Sequence, residues 1–111
     1  MPDSPINMAT FNDLQATAGE EFVVELVATF LEEAPQMLAD LREAQAAGAA
    51  ERFRRAAHSL KSNADTFGAG KLGELARELE LGRLPADAAP IDAAQAEYQR
   101  AAIALTGLAR G

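Results

Sequence analysis

Apolar residues recur along this chain at steps of three and four, never in a sustained alternation of two, and no Asn-Gly or Asp-Gly hairpin turn occurs. The pattern is helical from end to end. Residues 1–9 read as an irregular lead-in. Thr10 is placed to cap a short helix over 11–18 that Gly19 closes. A second helix is expected over 20–33, with Phe22, Val23, Leu26, Val27, Phe30 and Leu31 forming a broad apolar face. Pro35 has no N–H for a helix interior but suits a first turn. A third helix is therefore expected from there to residue 47, with Met37, Leu38 and Leu41 inward and Gly48 as its stop.

The next helix is expected over 49–67. Phe53, Ala56, Ala57, Leu60, Ala64 and Phe67 recur with helical spacing, which at about 100° per residue confines them to an arc of roughly 100°. His58, the only histidine, points roughly 150° away from the middle of that arc by the same count, towards solvent. Gly68-Ala69-Gly70 makes a turn, and a helix follows to Leu81 with Leu72, Leu75, Ala76 and Leu79 on one side. Residues 82–90 read as a loop from their proline and glycine. The last helix, over 91–109, carries Ile91, Ala94, Tyr98, Ala101, Leu105 and Leu108. Short connections make sequential helices antiparallel neighbours. The fold class is all-α: an antiparallel four-helix bundle with a short extra N-terminal helix, one domain over residues 10–111.

Composition narrows the function. At 111 residues and 49% hydrophobic content the chain can hold one core, and much of that content is alanine, suited to closely packed helices. Without cysteine there are neither disulfides nor thiolate metal sites. Apolar runs are interrupted by Glu, Arg or Gln too often to span a bilayer, and Met1-Pro2-Asp3-Ser4-Pro5 lacks the basic flank and apolar block of a secretion signal. The expected location is therefore cytoplasmic. A net charge of -7 repels nucleic acid and anionic membranes. Arg52, Arg54, Arg55 and Lys61 form the one basic island, around His58, and suggest a local anion or an acidic patch on a partner.

In a hairpin with its apex near Ala69, His58 and Glu80 are equally far from the turn and come level. Glu80 can then accept a hydrogen bond from one ring nitrogen, fix the tautomer and leave the other nitrogen nucleophilic. Lys61 and Ser62, one turn beyond His58, reach the same surface spot, where an ammonium and a hydroxyl can stabilise a phosphoryl group without a bound metal. Arg54 adds positive potential. The plain alternative is a solvated histidine on the wet face of an amphipathic helix, with Glu80 in an ordinary ion pair. Other chemistries have less support. One histidine and no cysteine leave only carboxylates for a metal, no phosphate-loop motif is present, and Ser59 and Ser62 lack a base with its orienting group.

The run Ala57-His58-Ser59-Leu60-Lys61-Ser62-Asn63-Ala64-Asp65-Thr66-Phe67-Gly68-Ala69 closely resembles the signature of histidine-containing phosphotransfer (HPt) domains of two-component phosphorelays. The stretch Phe30-Leu31-Glu32-Glu33-Ala34-Pro35, and Leu72, Leu75, Leu79 and Glu80, are similar to the helices that flank that signature. The resemblance implies that His58 is the phosphoacceptor, that Lys61 neutralises the phosphoryl group and that Glu80 orients the ring. It also implies that Ser62 lets a partner approach closely and that Gly68 holds the turn. Arg54, Arg55, Ser62, Asp65 and Gly68 would border the docking region. Asp65 departs from the family, which usually has a small neutral residue there, and its charge is expected to restrict which receiver docks or to slow transfer. The implied partners are response-regulator receiver domains and a sensor histidine kinase. Mg²⁺ would sit on the receiver, with no cofactor on this chain, which is expected to be a monomer. It would be a phosphohistidine carrier without ATP-dependent kinase activity of its own. A non-phosphorylated adaptor that binds receivers or kinases by shape is the competing expectation.

Overall fold

A computed structural model describes residues 4–110, all-helical with no strand among them. Five helices follow in order: α1 (Met8–Ala18), α2 (Glu20–Ala47), α3 (Ala50–Thr66), α4 (Gly70–Leu81) and α5 (Ala89–Ala109). Helices α2, α3, α4 and α5 form a ring in which each packs on the next and α5 closes on α2, while α1 lies against α2 and α3. This is the expected bundle with a short extra helix. Residues 1–3 of the expected lead-in, and residue 111, lie outside the described residues.

The core follows the helical stripes. Phe11, Phe30, Phe53, Leu41, Leu60, Leu72, Ile91 and Leu105 are sealed from solvent. Between them Ala34, Ala44, Ala57, Ala64, Ala76, Ala94 and Ala101 are fully buried, which lets the backbones approach closely. Phe30 joins three helical segments. Its ring centroid lies 5.3 Å from that of Phe67 at the end of α3 and 5.7 Å from that of Tyr98 on α5, the latter edge-on. Glu97 is the one charged side chain buried among the described residues, and Arg100 donates to its Oε1 at 3.0 Å.

Five local expectations change. The helices expected over 20–33 and 35–47 are one helix of 28 residues with Pro35 inside it. At about 1.5 Å per residue that helix alone accounts for the 41 Å length of the molecule. Proline removes the N–H that would bond the carbonyl of Leu31, but the Tyr98 hydroxyl donates to that carbonyl at 3.3 Å, so a neighbouring helix fills the gap. Phe22 does not join the core; it is 52% exposed. The cap of α1 is Asn7, whose side-chain oxygen accepts from the N–H of Thr10, so the helix starts at Met8 and Thr10 lies inside it. Ile6, within the expected irregular stretch, is buried. α5 likewise starts earlier than expected, with Pro90 in its first turn.

Candidate functional site

α3 is the most strongly two-sided helix. Phe53, Ala56, Ala57, Leu60 and Ala64 are buried, and Arg54, Arg55, His58, Ser62 and Asp65 are exposed on the opposite side, with Lys61 half-buried. Its end sets the geometry of the hairpin with α4. The N–H of Ala69 bonds the carbonyl of Ala64 at 2.9 Å, and Gly68 takes φ +78°, a region that costs any residue with a Cβ. The carbonyl of Gly68 then accepts the N–H of Asn7 at 2.7 Å. Gly68 is buried beneath that N-terminal segment, so it shapes the turn and offers no docking surface.

With the turn so formed, α4 runs back along α3 and brings Glu80 level with His58. Glu80 Oε2 lies 2.8 Å from His58 Nδ1. A carboxylate can only accept here, so Nδ1 carries the proton and donates, and Nε2 is left as the basic, nucleophilic nitrogen. The imidazole side chain is 59% exposed while the Glu80 side chain is 18% exposed. The orienting group is thus held in the protein and the reactive ring is presented outward. Leu81, the residue after Glu80, is 65% exposed and adds an apolar group to this end of α4. The surface groove between α4 and α5, lined by Leu75, Leu79, Arg83, Pro85, Pro90 and Ala93, does not include His58.

The basic island is less positive than the sequence suggested. Arg52 turns away to α2, where it donates to Glu43 at 3.0 Å and Asp40 at 3.2 Å; these bonds, Glu43 first, hold its guanidinium further above its ordinary pKa. Arg54 pairs with Glu51 on its own helix. Lys61 Nζ stands 3.9 Å from Asp65 Oδ2. Arg55 makes no ion pair among the described residues. The structure therefore brings Glu80 to His58 and Asp65 to Lys61, but turns Arg52 and Arg54 to other carboxylates. The reach of Arg52 across to α2 is not visible in residue spacing, whereas Arg54 and Glu51 are neighbours at i, i+3 on one helix. No three His, Asp or Glu side chains cluster as a metal site among the described residues.

Two further residues shape the site without a strong mark in the sequence. Asn7 ties the N-terminal segment to the hairpin turn, and its sequence signal was a capping residue three positions before Thr10. Gly73 lies buried in α4 opposite Asp65, and a glycine amid the apolar stripe of a helix was its only mark. Among the described residues no helix is long and apolar enough to cross a membrane.

The chain has no match among curated proteins and none among solved structures. A family model, that of the Hpt domain, matches residues 25–104, a span that takes in most of α2, all of α3 and α4, and most of α5. That match covers well over half of the chain and includes both His58 and Glu80, and the all-helical bundle is consistent with the fold of the family. The chain belongs to the Hpt domain family, the histidine phosphotransfer modules of two-component phosphorelays.

Proposed function

We propose that this chain is a phosphorelay intermediate in which His58 takes a phosphoryl group from the aspartyl phosphate of a receiver domain, or from a histidine kinase, and passes it to a response-regulator aspartate. In the first transfer Nε2 of His58 attacks phosphorus, the N–P bond forms, and the P–O bond to the receiver aspartate breaks to release its carboxylate. The onward transfer reverses these bonds on a second aspartate. The Nδ1 proton stays between His58 and Glu80, whose carboxylate offsets the positive charge that develops on the ring. Lys61 lies one turn from His58, where its ammonium can meet the phosphoryl oxygens, and Ser62 keeps the adjacent surface low. The receiver would supply Mg²⁺ along with its own carboxylates. Phosphoryl transfer asks of this chain mainly alignment and charge stabilisation, which an outward-facing, carboxylate-oriented imidazole provides.

The observation that carries this reading is the 2.8 Å contact of Glu80 with Nδ1 of a ring that is largely exposed. The test is incubation with a ³²P-labelled phosphoreceiver. A label on this chain that is stable to alkali, labile to acid and lost in His58→Ala supports the proposal. An unlabelled chain that still binds the receiver overturns it in favour of an adaptor.

A further inference from the structure

We propose that Asp65 is a positioning residue that draws Lys61 away from His58 and so biases the phosphoryl group towards leaving this chain. The inference rests on the phosphorelay reading above and names a regulation of that same site.

Along α3 the groups run His58, Lys61, Asp65 at successive turns of one face. Side chains of a helix lean towards its N-terminus, so Lys61 leans towards His58 and Asp65 leans towards Lys61. One ammonium therefore has two claimants. With His58 unmodified, the claimant in place is Asp65, whose Oδ2 is 3.9 Å from Nζ. A phosphoryl group on Nε2 brings about two negative charges to the other side of the same ammonium.

The seat of Asp65 is built by the facing helix. Gly73 is buried within α4, and a Cβ placed there would collide with Oδ1 of Asp65. Glycine is a poor residue for a helix interior, so α4 gives up both side-chain packing and propensity where the carboxylate lies against it. Asp65 thus has one oxygen against α4 at Gly73 and the other towards Lys61, with about half of its side chain exposed.

The consequence concerns the position of an equilibrium. Forming phosphohistidine requires Lys61 to be shared between the phosphoryl group and Asp65, and it leaves a carboxylate near a dianion. Both effects raise the phosphorylated state of this chain relative to the receiver aspartyl phosphate. Transfer from His58 Nε2 to the receiver carboxylate, with one N–P bond broken and one P–O bond formed, is favoured accordingly. Exposed ion pairs of this kind shift equilibria by about fivefold at most.

The test is the equilibrium partition of ³²P between this chain and a receiver, measured for wild type, Asp65→Asn, Asp65→Glu and the same Asn change in a Lys61→Ala background. Asp65→Asn keeps the shape beside Gly73 and is expected to raise the phosphohistidine share about two- to fivefold, less at high salt. Asp65→Glu keeps the wild-type share, and the Asn change has a smaller effect once Lys61 is gone, because only the direct repulsion between the carboxylate and the phosphoryl group is then removed. A share unchanged in Asp65→Asn, or changed equally without Lys61, overturns the role of Asp65 while the labelled wild type leaves the relay reading standing. A wild-type chain that takes no label defeats both.

Discussion

The hydroxyl of Tyr98 on α5 donates to the carbonyl of Leu31 on α2, the carbonyl that Pro35 leaves without its helical donor. A proline in mid-helix is thereby accommodated by a residue 67 positions along the chain from that carbonyl. Removing the hydroxyl in Tyr98→Phe is expected to cost about 1 kcal/mol, as an unmade hydrogen bond at a half-buried carbonyl does. Pro35→Ala returns the backbone N–H to the helix and is expected to stabilise by about 1–2 kcal/mol, the helical gain being partly offset by a more flexible unfolded chain. The two changes should not be additive. In the Pro35→Ala background the Leu31 carbonyl already has a donor, so Tyr98→Phe should cost less than half as much there. Urea unfolding of the four proteins of the cycle measures this coupling, and equal costs in both backgrounds would refute the compensation.

Tyr98 also makes the fold sensitive to alkali. Burial raises its phenol above the ordinary tyrosine value, because the phenolate would lose water on entering the α2–α5 interface. A folded-state pKa raised above the unfolded one means that its contribution to stability is whole below about pH 10 and declines as pH climbs through the folded value. Tyr98 is the only tyrosine and there is no tryptophan, so phenolate absorbance reports this one group. Its titration should lie above that of a free tyrosine and coincide with loss of helical signal, and the alkaline decline should be shallower in Tyr98→Phe. A phenolate that forms at the ordinary pH without loss of structure would show the phenol to be solvated.

These two residues also show why some of the fold was legible in the sequence and some was not. The α3 stripe and the turn at 68–70 are local patterns, and equal spacing from the turn was enough to bring Glu80 level with His58. Pro35 reads as a helix break because the rule that excludes proline from a helix interior is also local, whereas its repair comes from Tyr98. The basic island shrank for the same reason: Arg52 reaches Asp40 and Glu43, carboxylates on the preceding helix that no helical spacing associates with it. Asn7 gives no strong helix signal because its cap lies inside a stretch without apolar rhythm. Periodicity thus located faces and hairpins, while contacts between helices decided how charges and orphaned backbone groups were satisfied.

The role proposed for Glu80 separates from mere attachment of α4 to α3. Glu80→Gln keeps length and shape but replaces a charged acceptor by a neutral amide, which bonds Nδ1–H more weakly and no longer offsets charge on the ring. Phosphoryl transfer from a labelled receiver to His58 is expected to slow about tenfold, equivalent to about 1.4 kcal/mol of transition-state stabilisation. Affinity for the receiver and the thermal midpoint should change little, since the pair is partly exposed. Rapid-quench measurement of label transfer checks this. An unaltered rate in Glu80→Gln would leave Glu80 as a structural ion-pair partner only.

Gly68 is where the N-terminal segment, α1 and the His58 hairpin meet. Its φ of +78° disfavours a side chain by about 1–2 kcal/mol, and a Cβ would in addition stand 2.8 Å from the carbonyl of Asn7 and 2.9 Å from Cβ of Thr10. Both obstacles are short of side-chain freedom: one is backbone, the other the first carbon of a residue inside α1. Gly68→Ala is therefore expected to destabilise by about 2–4 kcal/mol, towards the upper end of what one backbone position costs. The loss should appear first as faster hydrogen exchange at the Asn7 amide, whose bond to the Gly68 carbonyl must lengthen as the segment is pushed outward. Asn7→Ala removes only the side-chain cap, leaves that backbone bond possible and should cost about 1 kcal/mol. If Gly68→Ala were no more harmful than Asn7→Ala, the turn would have a conformation open to other residues, and the level pairing of Glu80 with His58 would need a different anchor.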